Sequence, residues 1–187
     1  RNHLQMCANI SLEEHACFSW VPTITSISRQ ALFSGKKPFA FAESLLTTSK
    51  EEPLWLDFWQ NKGLAKREIK YAKKVESLSS DAWQDLITPP SIKVAGLVIN
   101  FIDEQMHGIK NGMSALNMVV DGWLTDWNFK EKISELLDKG FEIIITSDHG
   151  SQEATGIGYI NEGVKADTRG ERVRIYHDPA LRDSTAQ

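Results

Sequence analysis

Cysteine is scarce. The 187-residue chain has two, Cys7 and Cys17. So few exclude a disulfide framework, and their spacing is not that of a zinc knuckle. Cys17 lies in the apolar run "ACFSWV" and reads as a small buried hydrophobe. Long apolar runs are missing too. None approaches the ~20 residues that a membrane-spanning helix needs. The opening "RNHLQMCANI" lacks the basic, apolar, small-residue order of a secretory leader; from the cysteine usage a cytoplasmic protein is expected. Charge of one sign is also missing. The net charge is −4, so any nucleic-acid affinity requires a local basic patch. There is no internal repeat and no low-complexity segment. What is present is an ordinary globular mix, 41% apolar and 25% charged, at the length of one domain.

Hydrophobic patterning predicts an α/β fold, a mostly parallel sheet flanked by helices. Residues 14–21, "EHACFSWV", are short, apolar and aromatic, and Pro22 ends them, which predicts a strand. "SISRQALFSG" then reads as a helix, with Thr25 or Ser26 as N-cap and Gly35 as its stop. Residues 43–90 read as a polar helical insertion, with Trp55, Trp59 and Trp83 as packing anchors. "IKVAGLVINFI" at 92–102 and "FEIIITS" at 141–147 are unalternated apolar runs, the pattern of strands buried on both faces. Between them, Asn128 and Glu131 predict a capping box, with Gly140 closing the helix. Phe129, Ile133, Leu136 and Leu137 fall on one face of it. "RVRIYH" at 172–177 reads as a last strand.

In open parallel sheets, ligands collect at the carboxyl ends of strands. Three predicted strand ends carry chemistry here. "VPTITSISRQ" supplies Thr23, Thr25, Ser26 and Ser28, "DEQMHG" supplies Asp103 and His107, and "SDHGS" supplies Asp148 and His149. Imidazole and carboxylate suit zinc, and the oxygen donors also suit manganese or magnesium. A hydroxyl at a helix N-terminus beside two metals is a candidate nucleophile, because the metal lowers its pKa. Each element also has a plain alternative: a cap for Thr25, a turn for Asp148-His149-Gly150, and a surface i,i+4 pair for Asp103 and His107.

Taken in this order, the motifs resemble the alkaline phosphatase superfamily of two-metal phosphoryl and sulfuryl transferases. Within it, "PTITSISRQALFSG", "ITSDHG" and "RVRIY" are most similar to the PglZ domain of BREX phage-defence systems. The resemblance spans about residues 18–177. It implies an alkaline-phosphatase-like core in a single domain over 1–187, and a metal-dependent phosphodiesterase or nuclease with Thr25 as nucleophile. Thr25, Asp148 and His149 would bind one divalent metal, zinc or manganese, and Asp103 and His107 the other. Ser28 with Arg29 would hold a substrate oxygen. It also implies other BREX proteins as partners, with DNA as a further candidate, and no membrane.

Two ligands that the superfamily uses have no counterpart in this chain. Residues 1–25 contain no aspartate, and His177 lacks the superfamily's histidine-glycine context. The expectation is therefore a core truncated at both ends, inactive by itself, binding metal poorly or not at all, and open to edge-strand dimerisation. The alternative function is a non-catalytic scaffold in a defence complex; a small-molecule phosphatase is a third. Finally, "NKGLAKREIKYAKK" holds six basic residues against one glutamate. Lys62, Lys66 and Lys70 fit one helical stripe, either a solvated face or a contact to a nucleic-acid backbone. The tryptophans are expected in the core rather than on a base-stacking surface.

Overall fold

The structure, a computed structural model, describes residues 11–21, 23–88, 90–108, 112–150, 164–165, 174–175 and 178–185. Helices and strands are mixed, and the chain forms two compact units. The first comprises Arg1–Phe18 and Glu52–Thr146, the second Ser19–Glu51 and Ser147–Gln187.

The first unit is built on a small parallel sheet. β1 (Ile69–Lys73) pairs with β2 (Val94–Val98) in the register Ile69 to Val94 through Lys73 to Val98. Parallel strands need a crossover, and a helix, Ser80–Ile87, provides it. Ser79 caps that helix, its Oγ accepting from the amide of Ala82 at 3.3 Å. Ile69, Val75, Trp83, Ile87, Ile92 and Val98 are all buried. Gly96 is required by what lies over it. A Cβ added there would stand 2.9 Å from Cε2 of Trp55. That indole is fixed in place, because its Nε1 donates to the Lys70 carbonyl at 2.8 Å. Gly96→Ala is expected to lower stability by about 1–3 kcal/mol through overpacking, read as a lower urea midpoint at unchanged m-value.

Helices continue the unit: Phe101–Gly108, Gly112–Asp126 and Phe129–Asp138. In chain order, with Thr25–Ser34 as α1 and Glu51–Gln60 as α2, the crossover helix is α3 and these are α4, α5 and α6. Trp83 Nε1 and Gln84 Nε2 of α3 donate to the Glu135 carboxylate on α6 at 2.9 and 2.6 Å. The Gln84 bond is the largest influence holding the Glu135 pKa below its ordinary value. Burial opposes it, while the Trp83 bond, Lys139 and Lys132 reinforce it. The Lys132 ammonium lies 4.4 Å from the Trp83 ring centroid. Trp123 stacks between Phe101 and Trp127 at 4.6 and 5.1 Å, so these rings pack on one another. No helix among the described residues is long and apolar enough to cross a membrane.

In the second unit, α1 ends at Gly35, whose left-handed φ of 61° closes the helix. Two short 3-10 turns follow over Pro38–Ser44. β3 (Val164–Lys165) and β4 (Arg174–Ile175) pair antiparallel, and α7 (Pro179–Thr185) follows.

Several expectations are corrected. Residues 14–21 and 141–147 adopt no regular strand. An apolar run becomes a buried strand only where neighbouring strands bond to it, and here Phe18, Val21, Ile144 and Ile145 are exposed. Cys17 is exposed rather than buried. The span 43–90 is not all helix, because it contains β1. Lys62 therefore falls in a turn, Lys66 in a 3-10 turn and Lys70 in β1, and they share no helical stripe. Asn128 precedes α6 in a left-handed conformation, φ 53°, without a side-chain cap. The strand expected at 172–177 is present as β4, and its other residues, His177 among them, lie outside the described ones.

Candidate active site

The hydroxyls at the start of α1 divide their work. Neither Thr25 nor Ser26 is the N-cap. Ile24 takes that position with extended backbone, and its carbonyl accepts from the amides of Ile27 and Ser28 at 3.1 and 2.9 Å. This puts Thr25 at the first helical position, where its hydroxyl is not used as a cap. Thr25 Oγ1 lies 3.4 Å from His149 Nε2, a contact across 124 residues of chain. Ser26 Oγ donates instead to the Leu45 carbonyl at 2.5 Å. Ser28 is buried, and its Oγ is 3.1 Å from Ser19 Oγ.

Asp148 and His149 form a tight local pair. The His149 amide donates to Asp148 Oδ1 at 3.1 Å. His149 Nδ1 is 3.0 Å from the Gly150 carbonyl. A carbonyl can only accept, so Nδ1 carries the proton in that bond, and in the neutral ring Nε2 presents its lone pair. That lone pair faces Thr25 Oγ1 and, at 3.7 Å, Asp148 Oδ2. Asp148 Oδ2 is buried and has no hydrogen-bond partner among the described residues.

This donor set fits a divalent cation. A carboxylate oxygen facing an imidazole lone pair is a repulsive arrangement unless a proton or a cation bridges the two. Ligand bonds of ~2.0–2.2 Å place neighbouring donors of a tetrahedral site about 3.3–3.6 Å apart. The observed 3.4 and 3.7 Å are near that spacing. Among the described residues no three His, Cys, Asp or Glu converge; beside Asp148 and His149 stands the Thr25 hydroxyl.

The other expected residues sit as follows. Asp103 and His107 lie one turn apart on α4 in the first unit, with Asp103 Oδ1 3.5 Å from His107 Nε2. The backbone start of that helix is held by Glu76, whose Oε1 accepts from the Asn100 amide at 3.2 Å. Arg29 is engaged elsewhere: its Nη2 donates to Glu51 Oε2 at 2.7 Å, and the Glu51 side chain is fully buried. Two residues around the site were not anticipated. Ser19 Oγ donates to the Asp148 carbonyl at 2.6 Å. Gln30, wholly buried, ties α1 to residues 44–47. A glutamine one turn beyond a hydroxyl cluster, on the inner face of a short helix, was the available sign of the second.

No curated protein and no solved structure matches the chain. A family model does match, described as the BREX system PglZ alkaline phosphatase-like domain, over residues 1–186. With nearly its whole length matched, the chain belongs to the PglZ family.

Proposed function

We propose that the chain is the phosphoryl-transfer core of a metal-dependent phosphodiesterase, with Thr25 as its nucleophile. One observation supports this most: Thr25 Oγ1, His149 Nε2 and Asp148 Oδ2, the last without a hydrogen-bond partner among the described residues, are gathered at one helix start. In this reading they hold one cation, zinc or manganese. Asp103 and His107 are assigned to a second by family resemblance. When bound, such a cation would lower the pKa of the attacking hydroxyl. Thr25 Oγ1 forms a bond to phosphorus and gives up its proton, while the bond to the leaving alkoxide breaks. Water then attacks the phosphorus of the threonyl phosphodiester, restoring the hydroxyl and releasing the remaining phosphate monoester. The amides of the first turn of α1 face the incoming substrate oxygen. Ser28 and Arg29, assigned by resemblance to a substrate oxygen, are bonded here to Ser19 and Glu51. The core is alkaline-phosphatase-like, the partners are other BREX components, and DNA is the candidate polymer substrate.

The test is calorimetric titration of the native protein with Zn²⁺ or Mn²⁺, followed by turnover of bis- and mono-nitrophenyl phosphate. About two ions bound per chain and a preference for the diester are expected. No ion bound after loading would instead support a scaffold for other defence proteins. A preference for the monoester would turn the assignment to a phosphatase.

A further inference from the structure

We propose that Ser19 is a positioning residue that locks the Asp148-His149 turn onto α1 and so sets the distance from His149 to Thr25. Its functional meaning rests on the reading of Thr25, Asp148 and His149 given above; the geometry stands apart from it.

A serine hydroxyl has one proton to donate. Ser19 gives its proton to the Asp148 carbonyl at 2.6 Å, a group that can only accept. The 3.1 Å contact between Ser19 and Ser28 therefore takes its proton from Ser28. The result is a directed chain, from Ser28 to Ser19 to the backbone of Asp148. Ser28 follows Thr25 by three residues on α1, so both rise from the same face of the helix. The far end of the chain is the peptide group joining Asp148 to His149. That peptide's N–H is the one bonded to Asp148 Oδ1, which leaves Oδ2 turned toward His149 Nε2. Ser19 thus joins the helix that carries the proposed nucleophile to the peptide that orients both proposed ligands. Losing it would leave a buried hydroxyl and a carbonyl without this partner, in a place where the three donors depend on one another for spacing.

The test compares Ser19→Thr with Ser19→Val, which share a shape and differ by one hydroxyl. The readout is the nuclear Overhauser cross-peak between the Thr25 methyl group and the His149 ring, in protein labelled at those residue types. Wild type and Ser19→Thr should show the cross-peak, and Ser19→Val should lose most of it while its remaining amide spectrum stays native. Zn²⁺ affinity should fall about 10–100-fold in Ser19→Val and recover in Ser19→Thr. Equal cross-peaks in the two variants overturn the proposal, as does a wild type without the cross-peak. A wild type that binds no metal, with the cross-peak still lost in Ser19→Val, leaves the positioning role intact and removes the metal reading instead.

Discussion

Thr25→Ala in the native protein is expected to reduce metal-dependent diester cleavage by at least about 10³-fold, with substrate binding much less affected. In the proposed mechanism this hydroxyl bonds to phosphorus, so its removal acts on the chemical step. Asp148→Ala should give a comparable loss by a different route. It removes the carboxylate facing His149 Nε2, so metal affinity falls along with turnover. Ser26→Ala is the control. Its hydroxyl is spent on the Leu45 carbonyl, and its loss should cost stability of about 1 kcal/mol and little activity. The measurements are turnover of a nitrophenyl diester at saturating metal and calorimetry for the ions. Undiminished turnover in both Thr25→Ala and Asp148→Ala would remove the assignment of this turn as catalytic.

The largest stability effect is expected at Gln30. Its side-chain nitrogen lies 2.5, 2.8 and 3.0 Å from the carbonyls of Ser26, Ser44 and Thr47, and its Oε1 accepts from the Ser44 hydroxyl at 2.6 Å. The residue is wholly buried, so water cannot take over these bonds. Gln30→Leu keeps similar bulk and strips the partners, at a cost of about 3–5 kcal/mol, several unsatisfied groups at ~1–3 kcal/mol each. Gln30→Glu should also destabilise at neutral pH, because a carboxylate would face carbonyl oxygens, and it should recover as the carboxyl protonates in acid. Urea midpoints across pH check both. A Gln30→Leu loss under about 1 kcal/mol would mean the network is replaced by repacking.

The local elements were the legible part. α1 and its Gly35 stop follow from helix punctuation, and β2 from the apolar run around Gly96. β1 was misread because lysines at 62, 66 and 70 imitate a helical stripe, although Ile69 and Tyr71 alternate with Lys70 in the period of a strand. The runs at 14–21 and 141–147 carry strand-like composition, but composition does not specify which backbone bonds to them. The candidate site divides in the same way. Hydroxyls, Asp148 and His149 were visible as residue types at element ends. The approach of His149 to Thr25 depends on a tertiary contact over 124 residues, which no local spacing encodes. Ser19 and Gln30 escaped notice because serine and glutamine are common and only their burial and partners distinguish them.

The second unit is discontinuous: Ser19–Glu51 and Ser147–Gln187 are separated by Glu52–Thr146. That division sets an order of assembly. β1, α3 and β2 can form from contacts within about thirty residues. The Thr25–His149 contact must instead close a loop of 124 residues. Compared with a ten-residue loop, the closure entropy is larger by about 2 kcal/mol. The bonds from Ser19 to Asp148 and from Thr25 to His149 are therefore expected to form late, after the intervening chain has found its own structure. On the proposed reading, a nascent or partly folded chain would carry Thr25, Asp148 and His149 before it brings them together.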